Sequence, residues 1–314
     1  MAKYILKRLG QSLIVVFIVT IMVFGLMHLL PGDPIQIYLG ETATKESVAY
    51  YTQLFGLDKP LYIQYLKWIE GLLHGEMGKS ITYSMSVQDL LFKRVACTVS
   101  ITFPAFIIAL LIGVVLGAIA SVNRGRKKDT VITSLANIGI ATPSFWIGII
   151  LVYFFALKLK WLPVQGYTPP SENFGEYIRK LVLPVIVLSL GQLASTTRQT
   201  RSSMLEVISQ DYIRTARSKG LTEKTVIYKH ALHNALIPIV TMMGGAIGML
   251  IGGTVVIENL FNIPGVGSLM LTAIMNKDYM VVQNVTFFIS VVVVSCNLLV
   301  DILYGYIDPR IRIE

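Results

Sequence analysis

Six apolar runs free of Asp, Glu, Lys and Arg constrain this chain more than any motif does. They are Leu9–Leu30, Ala96–Val122, Thr130–Leu157, the shorter and more polar Leu181–Thr197, Ala235–Ile257 and Tyr279–Val300. A helix that crosses the hydrocarbon core of a bilayer needs about 20 predominantly apolar residues. The runs therefore predict an all-α integral membrane protein with six transmembrane helices. Composition agrees, since 54% of residues are hydrophobic and only 14% are charged, well below the charged share of soluble domains. The first run follows a basic start, but it is longer than the apolar core of a signal peptide. HLLPGDP also lacks a small-x-small cleavage pattern, so the run reads as a retained helix.

Charge between the runs sets the expected orientation. Lys3, Lys7 and Arg8 precede the first run; Arg124, Arg126, Lys127 and Lys128 crowd the second loop; the fourth loop is rich in Lys and Arg; Arg310 and Arg312 close the chain. In the intervening segments, 31–94, 158–180 and 258–278, acids match or nearly match bases. The positive-inside rule places both termini and the fourth loop in the cytoplasm. The net charge of +9 is thereby accounted for by topology, and nucleic acid is not an expected partner. Cys97 and Cys296 lie far apart in or beside apolar runs, with no CxxC pair, zinc spacing or disulfide framework, and read as small apolar residues.

Within the spans, Gly113, Gly117 and Ser121, and again Gly244, Gly248 and Gly252, recur every four residues. Such stripes let helix backbones approach closely, either inside one subunit or at a sliding or dimerising surface. Pro104, Pro143 and Pro184 invite bends. Ionisable groups are nearly absent: His28, Glu258 and Asp301 sit near span ends, with Asp301 expected to meet Arg310 or Arg312. No proton relay, coordinated-ion site, HExxH or catalytic aspartate pair is present, which argues against a proton-coupled transporter or an intramembrane protease. GEMGKS (Gly75–Ser80) ends like a phosphate-binding loop, but the required first glycine would fall on Leu73. No cofactor site is expected.

The fourth loop, SQDYIRTARSKGLTEKTVIYKHALHNALIP (Ser209–Pro238), is oversized for a connection. Leu205, Ile208, Tyr212 or Ile213, and Ala216 share a helical face, predicting a helix over 204–218. Gly220 supplies the left-handed position that closes it. Thr222 caps a second helix with Glu223 in its first turn, and Val226, Ile227, Ala231 and Leu232 lead into the fifth span through Pro238. Such a pair of helices fits anionic lipid, the protein's own spans or a cytoplasmic partner. In the long first loop, Leu61, Tyr65, Trp68, Ile69 and Leu72 predict a further helix, lying at the interface or over a pore mouth.

DYIRTARSKGL…HALHNALIPIV resembles the cytoplasmic signature loop of bacterial ABC importer permeases. The general pattern is Glu-Ala-Ala, three residues, Gly, nine residues, Ile-x-Leu-Pro; aligned on Gly220, this chain has Arg214, Thr215 and Ala216 first and His230, Ala231, Leu232 and His233 last. Those departures are characteristic of the peptide/opine/nickel branch. LLPGDP, FGLDKPLYIQYLKWIEGLLHGEMGKSI, ATPSFWIGIILVYFF, LPVQGY, IGGTVVIENLFNIPGVGSLMLTAIMNKDYMVVQ and DPRIR are similar to the same branch, so the resemblance spans the chain. It is most similar to the first permease subunit of oligopeptide or dipeptide importers, those with a long first outer loop.

The resemblance implies a type-1 importer permease fold: an N-terminal segment with the first helix (1–30), an extracytoplasmic loop region (31–94), a five-helix permease domain (95–306) carrying a coupling loop (198–234), and a tail (307–314). It implies a multi-pass subunit of a bacterial or archaeal cell membrane that is not itself an enzyme. The implied partners are a second homologous permease, two ATP-binding subunits, an extracytoplasmic substrate-binding protein and membrane lipid. The coupling residues it points to are Asp211, Arg214, Thr215, Ala216, Arg217, Lys219, Gly220 and Leu221. A permease for nickel or a metal chelate, and a channel or scaffold needing no ATPase, are the alternative readings.

Overall fold

Long apolar stretches can satisfy their backbone polar groups in a bilayer only by helix formation or barrel closure, and this chain uses helices. A computed structural model describes residues 2–29 and 32–307. Its helices are α1 (Ala2–Leu29), α2 (Pro34–Leu39), α3 (Lys45–Leu54), α4 (Leu61–His74), α5 (Val87–Val122), α6 (Lys127–Ala141) and α7 (Ser144–Leu151). They continue with α8 (Phe174–Ile208), α9 (Asp211–Ser218), α10 (Glu223–Thr225), α11 (His233–Leu260), α12 (Val266–Met275) and α13 (Tyr279–Ile307). The only β feature among the described residues is an isolated bridge between Lys79 and Ser86.

The spans differ in part from the six expected. Among the described residues, four helical stretches are long and apolar enough to cross a membrane: Ile5–Leu29, Val87–Val122, Phe174–Ile208 and Tyr279–Ile302. The third run is no straight helix. It is broken between Ala141 and Ser144, where α6 and α7 meet at 102°, and it makes a fifth span only if the bent pair counts as one. Pro143 causes the break: it sits at the cap of α7 with extended backbone, as a residue without an amide donor does best. α7 then runs on as a π-helix over Val152–Lys158. The fifth run lies inside α11, several of whose central side chains, with Gly244 of the glycine stripe, fall outside the described residues. Arg310 and Arg312, the expected partners of Asp301, also lie outside them.

The chain divides into two compact units, one built on Val99–Ile263 and the other on Leu6–Thr98 with Pro264–Ser295. In the second unit, α4 forms as its sequence period predicts and closes at Gly75 in the left-handed conformation. Its Trp68 is buried in an apolar core with Phe24 and Met27 of α1, Leu91 of α5, Leu269 of α12 and Val282 of α13. α2 and α3, which the sequence pattern did not reveal, are short polar-capped helices: Asp33 accepts from the amide of Ile35, and Thr44 and Ser47 form a capping box.

In the first unit, the stripe on α5 is a packing device within the chain. A Cβ on Gly113 would lie 2.7 Å from Thr196 Cβ, and one on Gly117 would lie 2.5 Å from both the Thr197 carbonyl oxygen and Thr200 Cβ. α5 and α8 therefore cross at a separation that only glycine permits. On α11, by contrast, a Cβ on Gly245 or Gly252 would meet no described atom within 4 Å.

Candidate functional site

The loop singled out by sequence folds as two helices about a glycine turn, with one change in the first. The expected helix over 204–218 is interrupted: α8 ends at Ile208, and Gln210 turns extended (ψ 149°) before α9 begins at Asp211. Ser209 caps the break by donating its hydroxyl to the Glu206 carbonyl at 2.7 Å, the local competition with helix that serine offers. α9 closes through Gly220, at φ +77°. Thr222 then accepts from the amide of Thr225 and starts α10. From there a π-helix over Val226–Leu232 feeds α11, with helical backbone at both junctions, and Pro238 lies inside α11.

The two faces of α9 do different things. Ile213 and Ala216, three residues apart, are 0% and 8% exposed. They join Met204 of α8, Ala118 of α5 and Val226 and Ala231 of the π segment in a small core. Tyr212 adds a polar tie, accepting a 3.0 Å hydrogen bond from Asn234 at the start of α11. Of the eight predicted residues, Ala216 thus faces inward and anchors the helix. Asp211, Arg214, Thr215, Arg217, Lys219, Gly220 and Leu221 are all exposed.

The exposed charges are not equivalent. The Arg214 and Asp211 side chains, 80% and 95% exposed, stand 3.7 Å apart, an arrangement worth almost nothing in water. Arg217 instead grips Glu223 across the glycine turn with two bonds, Nε to Oε2 at 3.1 Å and Nη2 to Oε1 at 2.8 Å. Hydrogen bonding to Arg217 holds the Glu223 carboxyl below its ordinary range, and Glu223 in turn raises the Arg217 guanidinium. Arg217 therefore staples the turn, and Arg214 stays available to an outside acceptor.

Two polar clusters escaped the sequence reading. Asp129, 5% exposed in the first turn of α6, accepts from Arg201 of α8 through Nε at 2.6 Å and Nη2 at 2.8 Å. It also accepts from the amide of Gly125 at 2.9 Å and the hydroxyl of Thr133 at 3.2 Å. A buried carboxylate held by four donors is a rigid tie, here joining the basic second loop to the helix that carries α9. A lone acid after Arg124, Arg126, Lys127 and Lys128 was the available signal.

The second cluster explains GEMGKS. Ser80 donates to the buried Asp278 carboxylate at 2.5 Å, the Thr82 amide donates to the same oxygen at 3.0 Å, and Asn284 of α13 donates to the Met77 carbonyl at 2.9 Å. Trp68 completes the cluster with a 3.4 Å bond from Nε1 to Asn284 Oδ1. The motif pins the first loop onto the start of α13.

Comparison with known proteins fits this architecture. Residues 113–313 match the family described as binding-protein-dependent transport system inner membrane component, and residues 1–102 match the N-terminal domain of such membrane components. A Brucella abortus protein named as a peptide transport system permease is 42% identical over 314 residues, covering all of both chains. The oligopeptide transport system permease protein AppB of Bacillus subtilis is 38% identical over 315 residues, covering 99% of this chain and all of AppB. Among solved structures, the inward-facing MetNI methionine ABC transporter aligns with a TM-score of 0.59 at 18% identity, over 70% of this chain and 97% of that one, a likeness of fold. With both regions matched and relatives aligned end to end, the chain belongs to the inner membrane components of binding-protein-dependent transport systems, multi-pass membrane permeases that are not themselves enzymes.

Proposed function

We propose that this chain is one of two homologous permease subunits in an ATP-driven importer of oligopeptides or dipeptides, with the 209–234 loop as its coupling element. The two permeases form the pathway, two ATP-binding subunits sit on the cytoplasmic side, and a binding protein delivers cargo from outside. Both termini and the 209–234 loop are cytoplasmic, as the distribution of Lys and Arg argues. The relatives named as peptide permeases support the cargo.

The observation that carries the coupling assignment is the division of α9 into a buried apolar face and an exposed polar one, closed by a stapled turn. A helix so anchored transmits displacement as a rigid body. When ATP closes the ATPase pair, α9 moves with it and turns the pathway outward; hydrolysis resets it. Asp211, Arg214, Thr215, Lys219 and Leu221 form the contact surface, while Ala216, Arg217 and Gly220 hold its shape.

Uptake of radiolabelled di- and oligopeptides by the purified importer in proteoliposomes, with Gly220→Pro as the test variant, examines both parts. The expected result is ATP-dependent uptake in the wild type. The variant should insert normally and hydrolyse ATP without uptake. Full transport by Gly220→Pro would refute the coupling role. Uptake of a metal chelate but of no peptide would favour the same architecture with a different cargo.

A further inference from the structure

A cleft of about 330 Å³ opens in the unit built on Leu6–Thr98, between the turn that follows α3 and one side of α4. Its size falls at the lower end of small-ligand pockets. Lys59 and Lys67 both line it. Neither lysine forms an ion pair among the described residues. Two ammonium groups facing one cleft repel one another. Lys67 is held below the ordinary lysine range, chiefly by the neighbouring Lys59, against smaller opposing pulls from Glu70 and Asp58. A carboxylate entering between them would turn that repulsion into two charge-assisted hydrogen bonds.

The same cleft is also lined by Glu76, and by Phe55, Trp68, Met77 and Met280. It thus offers cations and an acid beside aromatic and thioether walls. Met side chains adapt to varied apolar shapes. This set complements the two charged ends and variable side chains of a short peptide better than it complements a lone acidic side chain. The frame is fixed: Gln64 donates to the Leu57 and Lys59 carbonyls at 3.3 and 2.7 Å, and Trp68 is held by Asn284.

We infer that this cleft is a binding site for short zwitterionic peptides, in which Lys59 and Lys67 together receive the C-terminal carboxylate. The inference rests on the peptide reading above and adds a site on the permease where cargo pauses after release from the binding protein.

The test is equilibrium binding of Ala-Phe-Ala and of its C-terminal amide to the full chain in lipid nanodiscs, without binding protein. Wild-type chain should bind the acid about tenfold or more tightly than the amide. Lys59→Gln with Lys67→Gln should bring the acid down to the level of the amide, and arginine at both positions should preserve the preference. Equal affinity of the wild type for acid and amide, a comparison that needs no variant, would overturn the site. So would a double glutamine variant that binds as the wild type does. Loss of affinity for purified binding protein, with no peptide bound by any form, would likewise overturn it and assign the lysines to protein docking. Uptake by the wild-type importer is measured in parallel. Intact uptake with no acid preference sinks the cleft alone, whereas absence of any peptide uptake sinks the cargo reading itself.

Discussion

Replacing Ile213 with alanine should uncouple the permease while leaving every exposed residue of α9 in place. The side chain is fully buried against Met204, Val226, Ile227 and Ala231. The change removes three carbons from that core, a transfer loss of about 2–2.5 kcal/mol. The cavity left behind brings the total to about 3 kcal/mol, inside the range of such truncations. A cost of that size lowers the docked-to-undocked ratio of α9 about 100-fold. An eight-residue helix has little stability without packing, so the undocked segment loses its helix as well as its position.

Amide hydrogen exchange of 211–218 reads that equilibrium directly. Protection there should fall by up to about two decades in Ile213→Ala and by about one in Ile213→Val, whose cost is about 0.5–1.5 kcal/mol. It should not change in Arg214→Ala, where the side chain is solvated. In proteoliposomes, the importer assembled with Ile213→Ala should continue to hydrolyse ATP through its ATP-binding subunits while uptake falls. If protection drops and uptake remains tied to hydrolysis, the claim that α9 acts as an anchored rigid body is wrong. If protection does not drop, the small core under α9 is not what holds it.

Arg201→Met leaves the Asp129 carboxylate buried without its main partner and should cost about 3–5 kcal/mol of stability, read as a lower melting temperature in detergent; pairing it with Asp129→Leu should recover much of the loss. Gly117→Leu must force α5 and α8 apart and should destabilise by about 1–3 kcal/mol, whereas Gly252→Ala, with no described atom near its Cβ, should be neutral in the same assay. The Arg217–Glu223 staple should be indifferent to pH between 7 and 6. Because the Glu223 carboxyl is held below its ordinary value near 4.5, its contribution is fully present above that value and is lost as pH falls through the depressed one. The pair is substantially exposed, so the effect is about 0.2–1 kcal/mol, visible as lower protection factors of the turn amides, relative to their intrinsic exchange rates, at low pH and abolished in Glu223→Gln.

Helix content, the amphipathic period of α4, the Gly220 turn and the Thr222 cap were all legible because each depends on residues close in sequence. The bend at Pro143 was only half legible. Proline announces a missing donor, but a 102° turn and a mild kink look alike in sequence. The gap at Ser209–Gln210 was hidden because Leu205, Ile208, Tyr212 and Ala216 keep one helical phase across it. The Asp129–Arg201 and Ser80–Asp278 ties join residues 72 and 198 positions apart, and no single-sequence period records such pairings.

The concealed contacts are the ones that make the visible loop mechanical. α9 read alone is an exposed basic helix that could lie on lipid or on a partner, and its eight candidate residues look interchangeable. Ile213 and Ala216 bind it to the π segment, Tyr212 ties it to α11, and Met204 carries the same small core onto α8. The two bonds from Arg201 to Asp129 then join α8 to α6. With Gly113 and Gly117 pressing α5 onto the threonines of α8, no helix in this group can shift by ångströms without a neighbour answering. A push on the exposed face of α9 is therefore delivered to several apolar helices at once. A flexible connection of equal length and charge would absorb the same push, and this difference is what an uncoupled Ile213→Ala permease would expose.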